Sequence, residues 1–310
     1  NNEYVIFPVK SSNDLPSDED YQLVQQSFIS REKRPNLDKR LIDILPSELY
    51  EFRPRGFDIL GGKVVIIQLH ESLIPFSESI GGILIEKGFA SVYLRESNVE
   101  GPFRLRRLRL LQGVPVERVI HRENGVDIVI NLRDTYFNPR LSTEHERITQ
   151  VTSSHETVLD MFTGVGPFAL QLAKHRSASV EAWDINPKAI ACLQESISLN
   201  RINPNRIQTK IGDAKDLAEA INTPIFDRVL MNLPTLSANY IQAALSVCKK
   251  GGTIHYYRFG ETRTAGKDVI GEFNLISTRT EFETTHIQTH RVREIAPGKT
   301  HYCCEFKRIR

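Results

Sequence analysis

Four short stretches hold residues whose types and spacing could do chemistry. Asp160-Met161-Phe162-Thr163-Gly164-Val165-Gly166-Pro167 closes an apolar run, and its two glycines permit a tight turn where a ligand can approach the backbone. Asp184 closes the next apolar run, twenty residues after Gly164, where a carboxylate can accept hydrogen bonds from ribose hydroxyls. Gly212-Asp213 puts a further acid after a third run, and Asn232-Leu233-Pro234 ends a fourth with an amide that can meet the edge of a planar ligand. Gly164-x-Gly166-x-x-Ala169 also satisfies the permissive dinucleotide fingerprint, so a nicotinamide oxidoreductase competes on that turn alone. Two features count against it: the turn has no phosphate-binding side chain, and Asp160 and Asp213 make the cradle acidic. S-Adenosylmethionine has no phosphate, and its sulfonium and amino groups are cationic, so an acidic cradle suits it better.

These residues need strands to carry them. Thr157–Phe162, Ser179–Asp184, Arg206–Ile211, Arg228–Asn232 and Thr253–Tyr257 read as strands separated by helical segments, which predicts a parallel, doubly wound sheet over residues 141–310. In such sheets ligands lie at the carboxyl ends of the strands. Residues 46–140 mix strands at Lys63–Leu69, Ser91–Leu94, Val119–His121 and Val126–Asn131 with a helix at Ser79–Gly88, a small α+β domain. Residues 1–45 read as a remnant plus linker, with one short strand at Tyr4–Val9 before the polar run Ser11–Asp20.

Composition narrows the class. The chain has 310 residues, 40% of them hydrophobic and 25% charged, which excludes wholesale disorder. No apolar stretch approaches the roughly 20 residues that cross a bilayer. Cys192, Cys248, Cys303 and Cys304 do not form a disulfide framework or a paired zinc motif, so no metal is expected and a reducing cytoplasm fits best. The net charge of +2 hides a local bias: Arg104, Arg106, Arg107 and Arg109 fall within six residues, with no acid between Gly101 and Val116. Such a cluster is either a solvated face or a place to hold phosphates.

DMFTGVGPF, WDINPKA, MNLP and GGTIHYYRF, in this order and spacing, resemble the archaeal and eukaryotic tRNA (guanine37-N1)-methyltransferases. The likeness extends upstream through VEGPFRLRRL, HRENG and YFNPRLSTEHERI, and downstream to REIAPG, covering about residues 55 to 310. It implies an α/β class I, Rossmann-like methyltransferase domain after a smaller α+β domain, with S-adenosylmethionine as donor. The implied acceptor is N1 of the guanosine 3′ of the anticodon, and the partner is the tRNA anticodon stem-loop, bound by a monomer. Cofactor contacts fall by resemblance on Phe162, Gly164, Gly166, Asp184, Ile185, Asp213 and Asn232. The guanine pocket falls on Tyr136, Arg140, Asn232 and Pro234, the general base on Glu144 and the O6-stabilising arginine on Arg104. Residues 1–45 then become the remnant of a tRNA-recognition domain. One departure is His145, where relatives often carry arginine after the glutamate.

The implied pair makes chemical sense. Guanine N1 is protonated at neutral pH, so methylation needs a carboxylate to take the proton and a guanidinium to hold the charge shared with O6. Each residue also has a plainer reading. Glu144 follows Ser142-Thr143 at a helix start, Tyr136 and Phe137 can be core aromatics, and Arg140 can be a surface ion-pair partner. The competing functions are a wybutosine-pathway transferase of the same fold, a nicotinamide oxidoreductase, and a catalytically silent tRNA-binding module.

Overall fold

A computed structural model describes residues 37–310, except residues 98, 99 and 222 and the side chain of residue 218. The strand expected at Tyr4–Val9 and most of the expected linker lie outside the described residues.

The first part of the described chain contains α1 (Leu37–Ile44), β1 (Asp58–Leu60), β2 (Val64–Ile67), α2 (Ser77–Glu86), β3 (Ser91–Arg95) and β4 (Leu108–Gly113). The strands form a sheet in the order β1-β2-β3-β4, with β2 and β3 parallel and the outer pairs antiparallel. Alternation along β2 decides its two faces. Val65 and Ile67 join Ile80 and Leu84 of α2 in one core, while Val64 and Ile66 join a second core that also holds Val158 and Phe168. The linker reading fails for residues 37–45, because Leu41 and Leu45 are buried in the first of these cores. Leu37, Leu41, Ile44 and Leu45 recur at helical spacing, and the charged residues between them hide the stripe.

β5 (Arg118–Glu123) and β6 (Val126–Asn131) make a hairpin through Asn124 (φ 46°) and Gly125 (φ 80°), the left-handed pair that such a two-residue turn requires. Val126, Ile128 and Ile130 are buried beside Phe168 and Ile197, so the hairpin packs against the larger sheet's helices although it precedes residue 140.

The remaining elements are α3 (Ser142–Val151), β7 (Thr157–Asp160), α4 (Pro167–Arg176), β8 (Ser179–Asp184), α5 (Pro187–Leu199), β9 (Ile207–Ile211), α6 (Leu217–Ala220), β10 (Phe226–Met231), α7 (Ile241–Val247), β11 (Cys248–Glu261), α8 (Lys267–Ser277), β12 (Thr284–Ala296) and β13 (Lys299–Arg308). Their sheet runs β12-β13-β11-β10-β7-β8-β9. Five strands from β9 to β11 are parallel, as the alternating pattern predicts. The wholly parallel expectation fails at the end, where β13 lies antiparallel to both β11 and β12. From β7 the chain steps outward one way to β8 and β9, then returns to build β10 and β11 on the other side. The crevice beyond β7 and β10 is therefore the switch point, where ligands bind in sheets of this kind.

Candidate functional site

A cleft of about 1060 Å³ opens at the carboxyl ends of β7, β8, β9 and β10. It collects Arg104, Tyr136, Arg140, Phe162, Gly164, Asp184, Ile185, Asp213, Asn232 and Pro234. Two expected site residues, Gly166 and Glu144, are not among its lining.

One end of the cleft is made by strand ends. After β7 the chain turns through Gly164 (φ 56°), whose N–H donates to Asp184 Oδ2 at 2.7 Å. Asn186 N donates to Asp184 Oδ1 at 2.8 Å. Burial raises the Asp184 pKa, and these two N–H donors oppose the rise. A carboxylate held this way is aimed and still has lone pairs for hydroxyl donors. Asp213 caps the turn after β9 by accepting from Lys215 N at 3.0 Å, and it stands beside the Tyr240 phenol. Phe162 meets Tyr240 edge-on at 5.0 Å, and Ile185 is 42% exposed. Phe162 and Ile185 thus offer apolar faces to a planar base, between two acids. A Cβ at Gly164 would meet only the Tyr136 carbonyl oxygen, at 3.9 Å, so the space over this turn is open to a ligand.

Gly166, expected as a ligand contact, is not among the lining residues. Its φ is 80°, and a Cβ there would run into the Leu193 side chain. The glycine lets the start of α4 pack against α5. Beneath the turn, Asp160 is fully buried and neither carboxylate oxygen has a hydrogen-bond partner. Burial pushes its pKa up to about 7, with the Asp184 charge adding to the rise.

The other end of the cleft is assembled from distant segments. Glu100 and Leu105 exchange backbone hydrogen bonds of 2.9 and 3.0 Å, closing a tight turn with Gly101 at φ 67° and Arg104 at φ 57°. A left-handed arginine is strained, and such strain persists where surrounding contacts impose it. The turn itself holds that backbone, with Arg104 N donating to Gly101 O at 3.2 Å, while Arg104 Nη1 donates to Thr235 Oγ1 at 2.6 Å across the cleft in the loop after β10. The Arg104 and Arg106 guanidiniums lie 5.8 and 4.6 Å from the Tyr136 ring centroid. Arg106 and Arg140 share Asp58, at 3.8 and 2.5 Å. The basic cluster therefore divides. Arg104 and Arg106 line the cleft, Arg109 is tied to Glu96 at 2.7 Å, and the Arg107 side chain stays 72% exposed near Glu100.

The Asn232-Leu233-Pro234 loop is locked from behind. Ser237 Oγ donates to Met231 O at 2.8 Å, Leu233 N donates to Ser237 Oγ at 3.2 Å, and Arg258 Nη1 donates to Pro234 O at 3.0 Å. Phe137 is buried against His121, as the plainer core reading has it, while its neighbour Tyr136 faces the cleft.

Glu144 is not in the cleft where the expected pairing with Arg104 would put it. It sits in the first turn of α3 and is 6% exposed. Arg147, one turn along the same helix, donates to both its carboxylate oxygens at 2.8 Å, and Tyr257 OH donates to Oε1 at 2.6 Å. Glu305 fixes Arg147 in turn, accepting from Nη1 at 2.8 Å. The helix-start geometry that favours a carboxylate at this position thus also supplies an i+3 cation to occupy it. His145 is likewise buried, its Nδ1 2.6 Å from Glu123 of the β5–β6 hairpin, so it fastens that hairpin to α3.

Sequence reasoning missed Thr235, Tyr240, Phe259, Arg293 and His301, which also line the cleft. Thr235 carried a signal, as the hydroxyl directly after Asn-Leu-Pro. The others come from an unassigned helix end and from β11, β12 and β13, whose strand pairing at that end was not foreseen.

The family model for the TRM5/TYW2 methyltransferase domain matches residues 119–285, and that for the TYW2 N-terminal domain matches residues 37–116. The chain is 36% identical over 258 residues to the tRNA (guanine(37)-N(1))-methyltransferase Trm5b of Pyrococcus abyssi, covering 83% of this chain and 72% of that relative. The crystal structure of that protein matches with a TM-score of 0.78, over 95% of this chain and 87% of the other. The structure of aTrm5 in complex with tRNALeu matches with a TM-score of 0.78 at 29% identity, over 93% of this chain and 81% of the other. The tRNA(Phe) (4-demethylwyosine(37)-C(7)) aminocarboxypropyltransferase of Pyrococcus horikoshii is 26% identical over 274 residues, 88% of this chain and 96% of that relative.

Proposed function

Because the chain belongs to the TRM5/TYW2 methyltransferase family, we propose that it transfers a methyl group from S-adenosylmethionine to N1 of guanosine 37 in tRNA. The observation that carries this reading is one continuous cleft with acids at one end and a strained arginine at the other. Asp184 and Asp213 suit a cationic adenosine-bearing ligand, and Arg104 suits an oxygen that becomes negative.

S-Adenosylmethionine supplies an electrophilic methyl group on a sulfonium. The rest is the work of this chain's side chains. Asp184 accepts from ribose hydroxyls, Asp213 from the adenine amino group, and Phe162 and Ile185 cover the purine. Gly164 leaves room for close approach of the ligand to the backbone. Tyr136, held by the guanidinium of Arg106, stacks on the extruded guanine. Arg104 donates to O6 as charge develops there, a contribution of about 3 kcal/mol by analogy with an oxyanion-hole donor. Asn232 and Pro234 border the guanine on a loop that Ser237 and Arg258 hold in one conformation, and Arg140 closes the pocket near Asp58. Glu144, the general base that the resemblance implies, is held by Arg147 and Tyr257, and taking the N1 proton requires its carboxylate to be presented to the guanine.

The anticodon loop is single-stranded, so extrusion of the base costs only a few kcal/mol. Among the described residues no helix is long and apolar enough to cross a membrane. The free thiols of Cys192, Cys248, Cys303 and Cys304 support the cytoplasm as its compartment.

The test is transfer from methyl-labelled S-adenosylmethionine to tRNA transcripts carrying G37 or A37. Label is expected in the first and none in the second; equal labelling of both would sink the reading. A second reading, aminocarboxypropyl transfer, draws support from the match of residues 37–116 to the TYW2 N-terminal domain. The mass of the modified nucleoside separates the two, since one product gains a methyl group and the other an aminocarboxypropyl group.

A further inference from the structure

Arg147 stands between two carboxylates. Its Nε and Nη2 donate to Glu144, and its Nη1 donates to Glu305 Oε1 at 2.8 Å. All three side chains are largely withdrawn from solvent. Glu305 lies on β13 and is fixed from two further strands. His255 Nδ1 of β11 is 3.5 Å and His290 Nε2 of β12 is 3.2 Å from its Oε1. Arg228 of β10 donates to His255 Nε2, so that ring turns an N–H toward Glu305. Burial raises the Glu305 pKa, but the hydrogen bonds from His255 and Arg147 outweigh it and bring the value down to about 2. The side chain is therefore a carboxylate throughout the physiological range.

Glu144 is turned to Arg147 and Tyr257 rather than to the cleft, and a buried guanidinium left without an anion is costly. We propose that Glu305 is a positioning residue for proton transfer, the standing counter-ion that keeps Arg147 paired when Glu144 turns to the guanine and becomes neutral. The proposal rests on the methyl-transfer reading with Glu144 as its base. The N1–H bond breaks and its proton passes to the Glu144 carboxylate. The N1–CH3 bond forms as the S–CH3 bond breaks, and that electron pair remains on sulfur. Two carboxylates and one guanidinium carry a net negative charge before the proton arrives and are neutral after it. Without Glu305 the same step would turn a neutral pair into a buried net cation, which opposes proton uptake.

The other groups around the cluster do not supply that negative charge. Burial pushes the Tyr257 phenol of β11 and the Cys303 thiol of β13 well above their usual pKa values, so both stay neutral. Burial lowers the pKa values of His255, His290 and His301, so these rings are neutral as well. Arg228 is matched by Glu156 at 2.8 Å, and Arg293 of β12 adds positive charge. Among the described residues, Glu305 is the carboxylate other than Glu144 that forms an ion pair with Arg147.

The experiment is single-turnover methyl transfer to a G37 transcript across a range of pH, with S-adenosylmethionine affinity measured separately by calorimetry. E305Q is expected to slow transfer by about 10–100-fold while cofactor affinity stays within about twofold. The acid limb of its pH–rate profile is expected to move to lower pH, because Glu144 without the second carboxylate takes a proton less readily. E305D keeps the charge and is expected to return the limb and most of the rate. A merely structural loss would slow transfer without moving the limb. E305Q at the wild-type rate overturns the proposal, as does a slow E305Q whose acid limb stays in place. If E305Q loses cofactor binding with its rate, the R147M/E305Q double variant decides, since it removes the cation together with its partner. A double variant as slow as R147M alone supports action through Arg147, and a further loss overturns it. A wild-type chain that leaves G37 unmethylated overturns the methyl-transfer reading and this proposal with it. An active wild type with an equally active E305Q overturns this proposal alone.

Discussion

The two ends of the cleft are built differently. Phe162, Gly164, Asp184 and Asp213 sit on or just beyond three adjacent parallel strands, so the sheet's own spacing arranges them. Arg104, Tyr136, Thr235 and His301 come from a turn, a post-hairpin loop, a post-strand loop and an antiparallel strand. Only tertiary contacts such as the 2.6 Å bond from Arg104 to Thr235 bring them together. The first end depends on regular secondary structure, and the second depends on long-range agreement among side chains. The first should therefore govern whether the cofactor binds, and the second whether a bound pair reacts.

Arg104→Ala gives the largest expected break between the two. Methyl transfer at saturating substrates should fall about 10²–10³-fold, with cofactor affinity unchanged by calorimetry. R104K should recover little, since a point charge does not replace a planar fork. A matching loss of cofactor affinity would show that the two ends are not separable. Asp184→Ala gives the converse. It removes an acceptor anchored by Gly164 N and Asn186 N, and cofactor affinity should weaken about 10–100-fold, with transfer at saturating cofactor changed much less.

Asp160 sharpens the comparison through pH. Its pKa of about 7 lies above the ordinary carboxyl value, so the folded state prefers the protonated form. Folded protein then binds more protons than unfolded protein between about pH 4 and 7, and stability falls as pH rises through that window. D160N removes this cost. It should melt about 2–8 °C above wild type at pH 8, with the gap closing toward pH 4. A gap independent of pH would contradict the assignment. The smallest effect is expected at Arg107, whose side chain is exposed near Glu100 and outside the cleft lining. R107A should leave the rate within about twofold and reduce the salt dependence of tRNA binding by about one ion.

The same division explains what was legible in the sequence. The strand ends were readable because acids and glycines after apolar runs at regular spacing are local signals, and Phe162, Gly164, Asp184, Ile185, Asp213 and Asn232 do line one cleft. The packing of Leu193 beside Gly166 was not legible, because the need for a left-handed backbone looks the same whether a ligand or a side chain lies beside it. Glu144 was placed in the cleft because sequence order cannot tell that Arg147 would claim the carboxylate first. His301 went unread because β13 pairs antiparallel with both β11 and β12, outside the alternating pattern that made the other strands visible. α1 was taken for linker because its apolar stripe lies between charges.

The four-stranded sheet that carries the arginine turn is packed on both faces, with Val65 and Ile67 buried on one side and Val64 and Ile66 on the other. Swinging that layer outward would hydrate one of those faces, at about 25 cal/mol for each Å² of apolar surface uncovered. A rigid jaw is the consequence: adjustment on docking falls to the nucleic acid rather than to this layer.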